Sequence, residues 1–211
     1  MLPQKMGCGS GMSCWRRLRE WQEAGVWERL HRTLLDRLEE ADLIDRERAS
    51  LDSASIPAKG GQKTGKNPTD KGKKGTKRHL VSDRKGIPLA VISTGANAHD
   101  SMVFEELIDA VEPIKRPRGR PRKRPEKLHA DKAYDDKKRK GALRKRGIKS
   151  RIATKGIEST EKLGRHRWVV ERTLAWLAKY RRLTIRYERR EDIHEASLHL
   201  GCSLICFNYL Q

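Results

Sequence analysis

The order of strand-like and helical patterns limits the folds open to this chain of 211 residues. Three stretches between residues 48 and 95 alternate apolar and polar residues in the manner of β-strands. They read RASLDSASI, KRHLVSD and PLAVISTG, and the turn-forming DRKG joins the second to the third. We therefore expect three antiparallel strands at the start of a sheet.

After residue 100 the strand-like stretches alternate with helical ones. Two more strands are predicted, KLHADKAY at 127–134 and IKSRIAT at 148–154. The predicted helices are SMVFEELIDAV, capped by Asp100 or Ser101, a basic helix over 136–146, RWVVERTLAWLAKY and HEASLHLGCSLICFNYL. This order predicts an α/β fold, in which helices flank a mixed five-stranded sheet.

Apolar residues near the start of the chain recur at helical spacing on both sides of Gly25. They are Trp15, Leu18 and Trp21 before the glycine, and Trp27, Leu30, Leu34 and Leu38 after it. The pattern predicts a helical hairpin within residues 1–45, ahead of a main domain at 46–211. Such a hairpin either packs on the main domain or reads DNA as a helix-turn-helix, and the spacing fits both.

The charge of the chain indicates its partner. Lys and Arg number 48 against 28 Asp and Glu, a formal net charge of +20, so a polyanion such as nucleic acid is the first candidate. No apolar run approaches the roughly 18 to 20 residues of a membrane-spanning helix, and no secretory signal pattern opens the sequence. The spacing of Cys8, Cys14, Cys202 and Cys206 fits no usual zinc or disulfide framework, so we expect reduced cysteines and a cytosolic protein.

Two basic segments interrupt the main domain. Residues 58–78 contain eight basic residues and five glycines, and residues 115–127 contain eight basic residues and three prolines. We predict that the first is a mobile loop without a core and that the second is extended and solvated. The second includes RPRGRP, which matches an AT-hook that would insert Arg118 and Arg120 into a narrow minor groove, or else is a solvated linker.

Three carboxylates stand out because they lie inside apolar elements. Asp52 is in the middle of the first strand, Asp131 closes the fourth and Glu171 is in the first long C-terminal helix. If the first and fourth strands are neighbours, Asp52 and Asp131 approach each other, and a helix at that edge could add Glu171. Singly, each is more often a turn former or a surface charge. Together they would repel unless divalent cations such as Mg²⁺ or Mn²⁺ bound there, and two ions about 4 Å apart suit attack on a phosphodiester.

The motifs SLDSASI, HADKAYD and RWVVERTLAWL…YRRLTIRYERR, in this order, resemble the DDE transposases of bacterial insertion sequences, in the branch named after insertion sequence 5. The resemblance implies a ribonuclease-H-like catalytic domain with two Mg²⁺ or Mn²⁺ ions. The implied catalytic residues and metal ligands are Asp52, Asp131 and Glu171, the last four residues after Arg167 in an Arg-x-x-x-Glu pattern. It also implies cleavage at terminal inverted repeats, strand transfer into target DNA, a homo-oligomer on DNA, and a place in the bacterial cytoplasm at the nucleoid.

The sequence departs from the family pattern at two positions. Ala133 stands where glycine is frequent, and Ala178 stands where a lysine is frequent, with Lys179 one step later. Relatives also carry a segment before LPQKMGCGSG, so we expect a truncated copy or the second reading frame of an element. Two other functions stay open, a DNA-binding remnant or regulator without catalysis, and a nuclease that hydrolyses without joining.

Basic residues around these motifs are the candidate DNA contacts. A cluster at 179–190, which includes Arg186, is expected to bind the phosphate backbone. The predicted contacts are Lys77, Arg78, Arg118, Arg120, Arg122, Arg167, Lys179, Arg181 and Arg182.

Overall fold

The computed structural model describes residues 7, 9–115, 119–121, 123–154 and 160–211, and only the backbone of residues 160–165. The helices are α1 (Gly11–Glu23), α2 (Val26–Glu40), α3 (Phe104–Asp109), α4 (Lys137–Lys145), α5 (Thr160–Lys179), α6 (Arg181–Thr184) and α7 (Glu191–Asn208). The strands are β1 (Arg48–Pro57), β2 (Gly65–Lys66), β3 (Lys74–Asp83), β4 (Pro88–Gly95), β5 (Lys127–Ala130) and β6 (Lys149–Ile152).

The strands form one mixed sheet, as the sequence predicted. Its main order is β4-β3-β1-β5-β6, and the two-residue β2, which was not predicted, pairs with the start of β3. Strand β3 is antiparallel to both β1 and β4, whereas β1, β5 and β6 run parallel. Parallel strands end at the same edge of a sheet. The register pairs Arg48–Ser50 with Lys127–His129, so the residues that follow in β1 and after β5 lie side by side.

Helices cover both faces of the sheet. One apolar cluster joins Leu51 and Val81 to residues of α2, α3 and α4, and a second joins Leu80 and Val91 to α5 and α7. Asp52 pairs with Leu80 across the strands. Because cross-strand partners share a face, the side chain of Asp52 lies on the face that α5 covers.

The N-terminal hairpin packs on the main domain. Gly25 connects α1 to α2 with a positive φ of 67°, which glycine adopts at little cost. Leu35 and Leu38 of α2 belong to the larger apolar cluster, and α2 lies against α7. Packing therefore accounts for the apolar stripe of α2.

The prediction of a core-free loop over residues 58–78 is wrong for residues 65–66 and 74–78. Residues 65–66 form β2, and β3 begins at Lys74. Polar bonds replace an apolar core here, because the buried guanidinium of Arg186 donates to the carbonyl of Lys63 and the hydroxyl of Thr76. The segment is ordered by a cation supplied from more than 100 residues away.

Two predicted boundaries also change. The fourth strand ends at Ala130, and the carboxylate of Asp131 accepts from the Lys132 N–H, which starts a 3₁₀ turn over Lys132–Tyr134. Asp131 therefore caps the turn and, among the described residues, has no partner in a neighbouring strand. The helix predicted from residue 101 is divided into a 3₁₀ turn over Asp100–Val103 and α3, and its cap is His99.

Residues 115, 119–121 and 123–126 lie outside helices and strands, in keeping with an extended segment. Pro125 is nevertheless buried, and Lys123 and Arg124 donate to the carbonyls of Asp109 and Arg146. The segment is therefore bound to the domain surface at its C-terminal end. Within the described ranges no helix is long and apolar enough to cross a membrane.

Candidate active site

Three carboxylates from distant parts of the sequence meet one guanidinium. Arg167 Nη2 lies 3.2 Å from Asp52 Oδ2 and 3.4 Å from Glu171 Oε1, and Arg167 Nη1 lies 3.2 Å from Asp131 Oδ1. The structure thus brings Asp52, Asp131 and Glu171 together, as the sequence predicted. It also places Arg167 among them, which the sequence did not predict.

The fold explains this meeting. Asp52 lies in β1 just beyond the residues that pair with β5, and Asp131 comes directly after β5, so both lie at one edge of the parallel strands. Helix α5 packs its buried Val170 and Leu174 against Leu80 of the sheet. Arg167 and Glu171 are four residues apart on α5, one turn along the same side of the helix.

Exposure rises across the three carboxylates. The side chains of Asp52, Asp131 and Glu171 are 16%, 33% and 55% exposed. Burial raises the pKa of Asp52, although the Ser53 N–H and Arg167 oppose the shift. Three carboxylates and one guanidinium leave an excess of about two negative charges when all are ionised.

A second set of polar groups supports Asp52 through β1. The backbone N–H of Ser53 donates to Asp52 Oδ1 at 2.8 Å, and the Ser53 hydroxyl donates to Asp100 Oδ1 at 2.9 Å. Lys77 Nζ lies 2.8 Å from the same oxygen of Asp100. Burial would raise the pKa of Asp100, but these hydrogen bonds from Lys77 and Ser53 lower it.

Sequence reasoning missed Ser53 and Asp100 as site residues. The sequence predicts Asp100 or Ser101 as a helix cap, because they follow a strand and precede a helical pattern. Its proximity to Ser53 depends on how the turn after β4 folds back over β1, and no spacing along the chain records that contact.

The donor set fits a divalent cation. Carboxylate oxygens are the ligands that Mg²⁺ and Mn²⁺ prefer, and the excess negative charge would favour such an ion. In the part of the chain that the structure describes, no three acidic, imidazole or thiol groups close around a common point. The carboxylates instead contact the two terminal nitrogens of Arg167.

The predicted DNA contacts differ in accessibility. Lys179, Arg181 and Arg182 at the end of α5 and in α6 are exposed, as is Arg120. Lys77 is mostly buried and held by Asp100 and the Ala98 carbonyl. Arg118 and Arg122 lie outside the described residues.

For Arg78 the predicted contact with DNA is wrong. Its side chain is almost fully buried and donates to the carbonyl of Leu183, so it joins β3 to α6. The same correction applies to Arg186, which is also buried. In both cases a basic residue type was visible in the sequence, but its internal acceptor was not.

Comparison with known proteins identifies the family. The family model described as "Transposase DDE domain" matches residues 44–206, a range that contains Asp52, Asp131 and Glu171. The "Putative transposase for insertion sequence element IS402" of Burkholderia cepacia is 50% identical over 169 residues, which are 80% of this chain and 79% of that protein. The "Insertion element IS402 uncharacterized 16.2 kDa protein" of the same organism is 63% identical over 68 residues, 32% of this chain and 46% of that protein.

Among solved structures, the piggyBac transposase synaptic complex with hairpin DNA aligns with a TM-score of 0.49 and 11% identity, over 78% of this chain and 46% of that one. The family assignment does not depend on this alignment, since the family model alone covers more than half of the chain. The mixed sheet flanked by helices is the α/β architecture that the sequence predicted. The chain belongs to the DDE transposase family.

Proposed function

We propose that this transposase cuts DNA at the ends of an insertion sequence and joins the freed 3′ hydroxyl to target DNA, with Asp52, Asp131 and Glu171 as the metal ligands. The observation that carries the proposal is the convergence of these three carboxylates on one cation, within the region that matches the family model. The proposed cofactor is Mg²⁺ or Mn²⁺, as two ions. Bound divalent cations would make water or a 3′ hydroxyl a stronger nucleophile and would stabilise charge on the leaving oxygen.

The residues of the chain prepare this site in different ways. Asp52 is held by the Ser53 N–H and Asp131 by its bond to the Lys132 N–H, so both carboxylates have fixed orientations. Glu171 is the most exposed of the three and lies on a helix, where it can adjust to substrate. This division of roles is consistent with a rigid pair of ligands and one adaptable ligand.

The charge of the chain supports DNA as the substrate. A net charge of +20 attracts a polyanion, and the exposed Lys179, Arg181, Arg182 and Arg120 are the proposed phosphate contacts in the described part of the chain. The proposed DNA partners are terminal inverted repeats and target duplex. We further propose that the protein forms a homo-oligomer on DNA and acts at the bacterial nucleoid.

The test uses the DNA that flanks the coding region, as a labelled duplex, together with an unlabelled plasmid target. We expect nicking at an element end and joining to the plasmid in Mg²⁺ or Mn²⁺, and neither product in Ca²⁺ or a chelator. Nicking without joined product would indicate a nuclease that only hydrolyses. Binding without any metal-dependent nicking would contradict the proposal and leave a DNA-binding protein without catalysis.

A further inference from the structure

Arg167 holds a position that a catalytic metal ion would need. Its two terminal nitrogens contact oxygens of all three carboxylates, and its side chain is 17% exposed. Its Nε is buried and has no hydrogen-bond acceptor among the described residues. The terminal nitrogens of the guanidinium therefore bind the carboxylates, whereas its Nε–H donor is not hydrogen-bonded to a described residue.

A guanidinium and a divalent cation compete for these oxygens. Asp52 Oδ2 and Asp131 Oδ1 each lie 3.2 Å from a terminal nitrogen of Arg167. A cation bound to those atoms would meet a fixed positive charge at short range, and like charges there repel strongly. Either the metal site is weak or Arg167 leaves when it fills.

Departure is open to this side chain. Glu171, one of its three partners, is more than half exposed, so the cluster borders solvent. The arginine side chain is long and has several rotatable bonds. Its planar guanidinium binds a phosphate as readily as a carboxylate. The negative partner that DNA would bring to this site is a phosphate group.

We infer that Arg167 is an exchangeable counterion, which holds Asp52, Asp131 and Glu171 together before divalent cations bind and then turns to a phosphate of the DNA. The inference rests on the proposed function, because it needs a metal site at these carboxylates. It makes Arg167 a positioning residue in the metal-free protein and a DNA contact in the loaded one. A permanent structural ion pair is the opposite description, and the two predict different effects of substitution on metal binding.

The first experiment measures Mn²⁺ binding to the full chain without DNA, by titration calorimetry. Arg167→Gln removes the competing charge, and Arg144→Gln removes the same charge from an exposed position on α4 as the matched control. We expect Arg167→Gln to bind Mn²⁺ at least about tenfold more tightly than wild type, which corresponds to about 1.4 kcal/mol of binding free energy. Arg144→Gln should bind as wild type does.

A conservative variant guards against misfolding. Arg167→Lys keeps the charge, but one ammonium cannot contact three separate carboxylates as a guanidinium does. Its Mn²⁺ affinity should therefore fall between those of wild type and Arg167→Gln. Circular dichroism checks that each variant is folded. If Arg167→Gln does not fold, tighter binding by Arg167→Lys than by wild type supports the inference, and equal or weaker binding overturns it.

The second experiment tests the move to phosphate. Because coupling between two ligands is reciprocal, Arg167→Gln should weaken binding to a duplex in Ca²⁺ and have little effect in a chelator. Arg144→Gln should change both affinities by the same factor. An equal loss by Arg167→Gln in both conditions would contradict the exchange.

The outcomes separate this inference from the proposed function. If Asp52→Asn abolishes Mn²⁺ binding, the metal site is supported. If Arg167→Gln then binds Mn²⁺ as tightly as wild type or more weakly, the counterion role of Arg167 is overturned. If neither wild type nor the arginine variants bind Mn²⁺, the metal site itself is wrong, and both proposals fail.

Discussion

Asp52 is the most buried of the three site carboxylates, and protein groups hydrogen-bond to both of its oxygens. The two oxygens accept from the Ser53 N–H and from Arg167 Nη2. Burial that raises its pKa is a cost, since a charged carboxylate prefers water. Such a cost is usual where a cation is to be bound, and it separates Asp52 from an ordinary turn-forming aspartate.

The bond from Ser53 to Asp100 leads to a prediction at the residue scale. Asp100→Ala removes the acceptor that holds the Ser53 hydroxyl and the Lys77 ammonium, so the N–H that orients Asp52 is less fixed. We expect the nicking rate at subsaturating Mg²⁺ to fall by about 10- to 100-fold, as for other residues that orient metal ligands. Asp100→Asn keeps one acceptor oxygen and should lose less.

The measurement is the nicking rate over a range of Mg²⁺ concentrations, with thermal unfolding as the check on stability. A structural role alone would lower the unfolding midpoint and leave the Mg²⁺ dependence unchanged. That pattern would remove Asp100 and Ser53 from the account of the site.

At the scale of elements, β3 shows how a basic segment can be ordered without apolar residues. Its first half lies in a stretch with eight basic residues, yet Thr76 and Arg78 are buried. Arg186 reaches this stretch from the loop after α6 and donates to Lys63, Thr76 and Glu188. The segment from β2 to β3 and the loop after α6 therefore depend on each other.

Removal of the Arg186 side chain tests this dependence. Arg186→Ala removes the guanidinium donor of the Glu188 carbonyl and one of the two donors of the Lys63 carbonyl, which keeps the Thr76 hydroxyl. We expect the free energy of unfolding to fall by about 1–3 kcal/mol, the usual cost of one orphaned buried group. Arg189→Ala, at an exposed position in the same loop, should change it by less than about 0.5 kcal/mol. Urea unfolding of both variants decides, and coincident midpoints would show that the buried guanidinium contributes little.

These elements also show what a single sequence can predict. The strands β1 and β4 and the helix α7 follow from periodicity, because their apolar residues recur at strand or helix spacing and are buried. The 3₁₀ turn after β5 and the start of β3 at Lys74 could not be predicted in that way. Both depend on polar partners, a capping N–H and a distant guanidinium, that leave no periodic signal.

The same limit applies to the site. Three acids inside apolar elements were sufficient to identify Asp52, Asp131 and Glu171 as a group. The prediction that Arg78 and Arg186 contact DNA is wrong, because charged residues are exposed on average but these two arginines donate to acceptors inside the protein. Whether a charged residue is buried depends on tertiary structure and cannot be predicted from its residue type alone.

At the scale of the whole molecule, a basic chain carries an acidic cluster that borders solvent. The formal charge of +20 would hold DNA near the site, whereas the carboxylates would repel phosphate until cations neutralise them. Affinity and chemistry are therefore expected to reside in different residues. Substitutions should separate the two functions.

The RPRGRP segment supplies a prediction about affinity. If Arg118 and Arg120 enter a narrow minor groove, their replacement by Ala should weaken binding to AT-rich duplex more than to GC-rich duplex. A solvated linker would lose equal affinity on both, with the salt slope falling by about 0.9 for each phosphate contact removed. Titrations of the two duplexes at matched salt concentrations distinguish these alternatives.

The central claim is that Asp52, Asp131 and Glu171 perform metal-dependent cleavage and do not hold the DNA. The most direct measurement compares nicking in Mg²⁺ and duplex affinity for Asp52→Asn, Asp131→Asn and Glu171→Gln. We expect each variant to nick at least about a hundredfold more slowly, because a metal ligand matters at least as much as the groups that orient it. Duplex affinity measured in a chelator should be equal or higher, since each change removes a negative charge. Wild-type nicking by any one variant, or a loss of affinity parallel to the loss of nicking, would contradict the account.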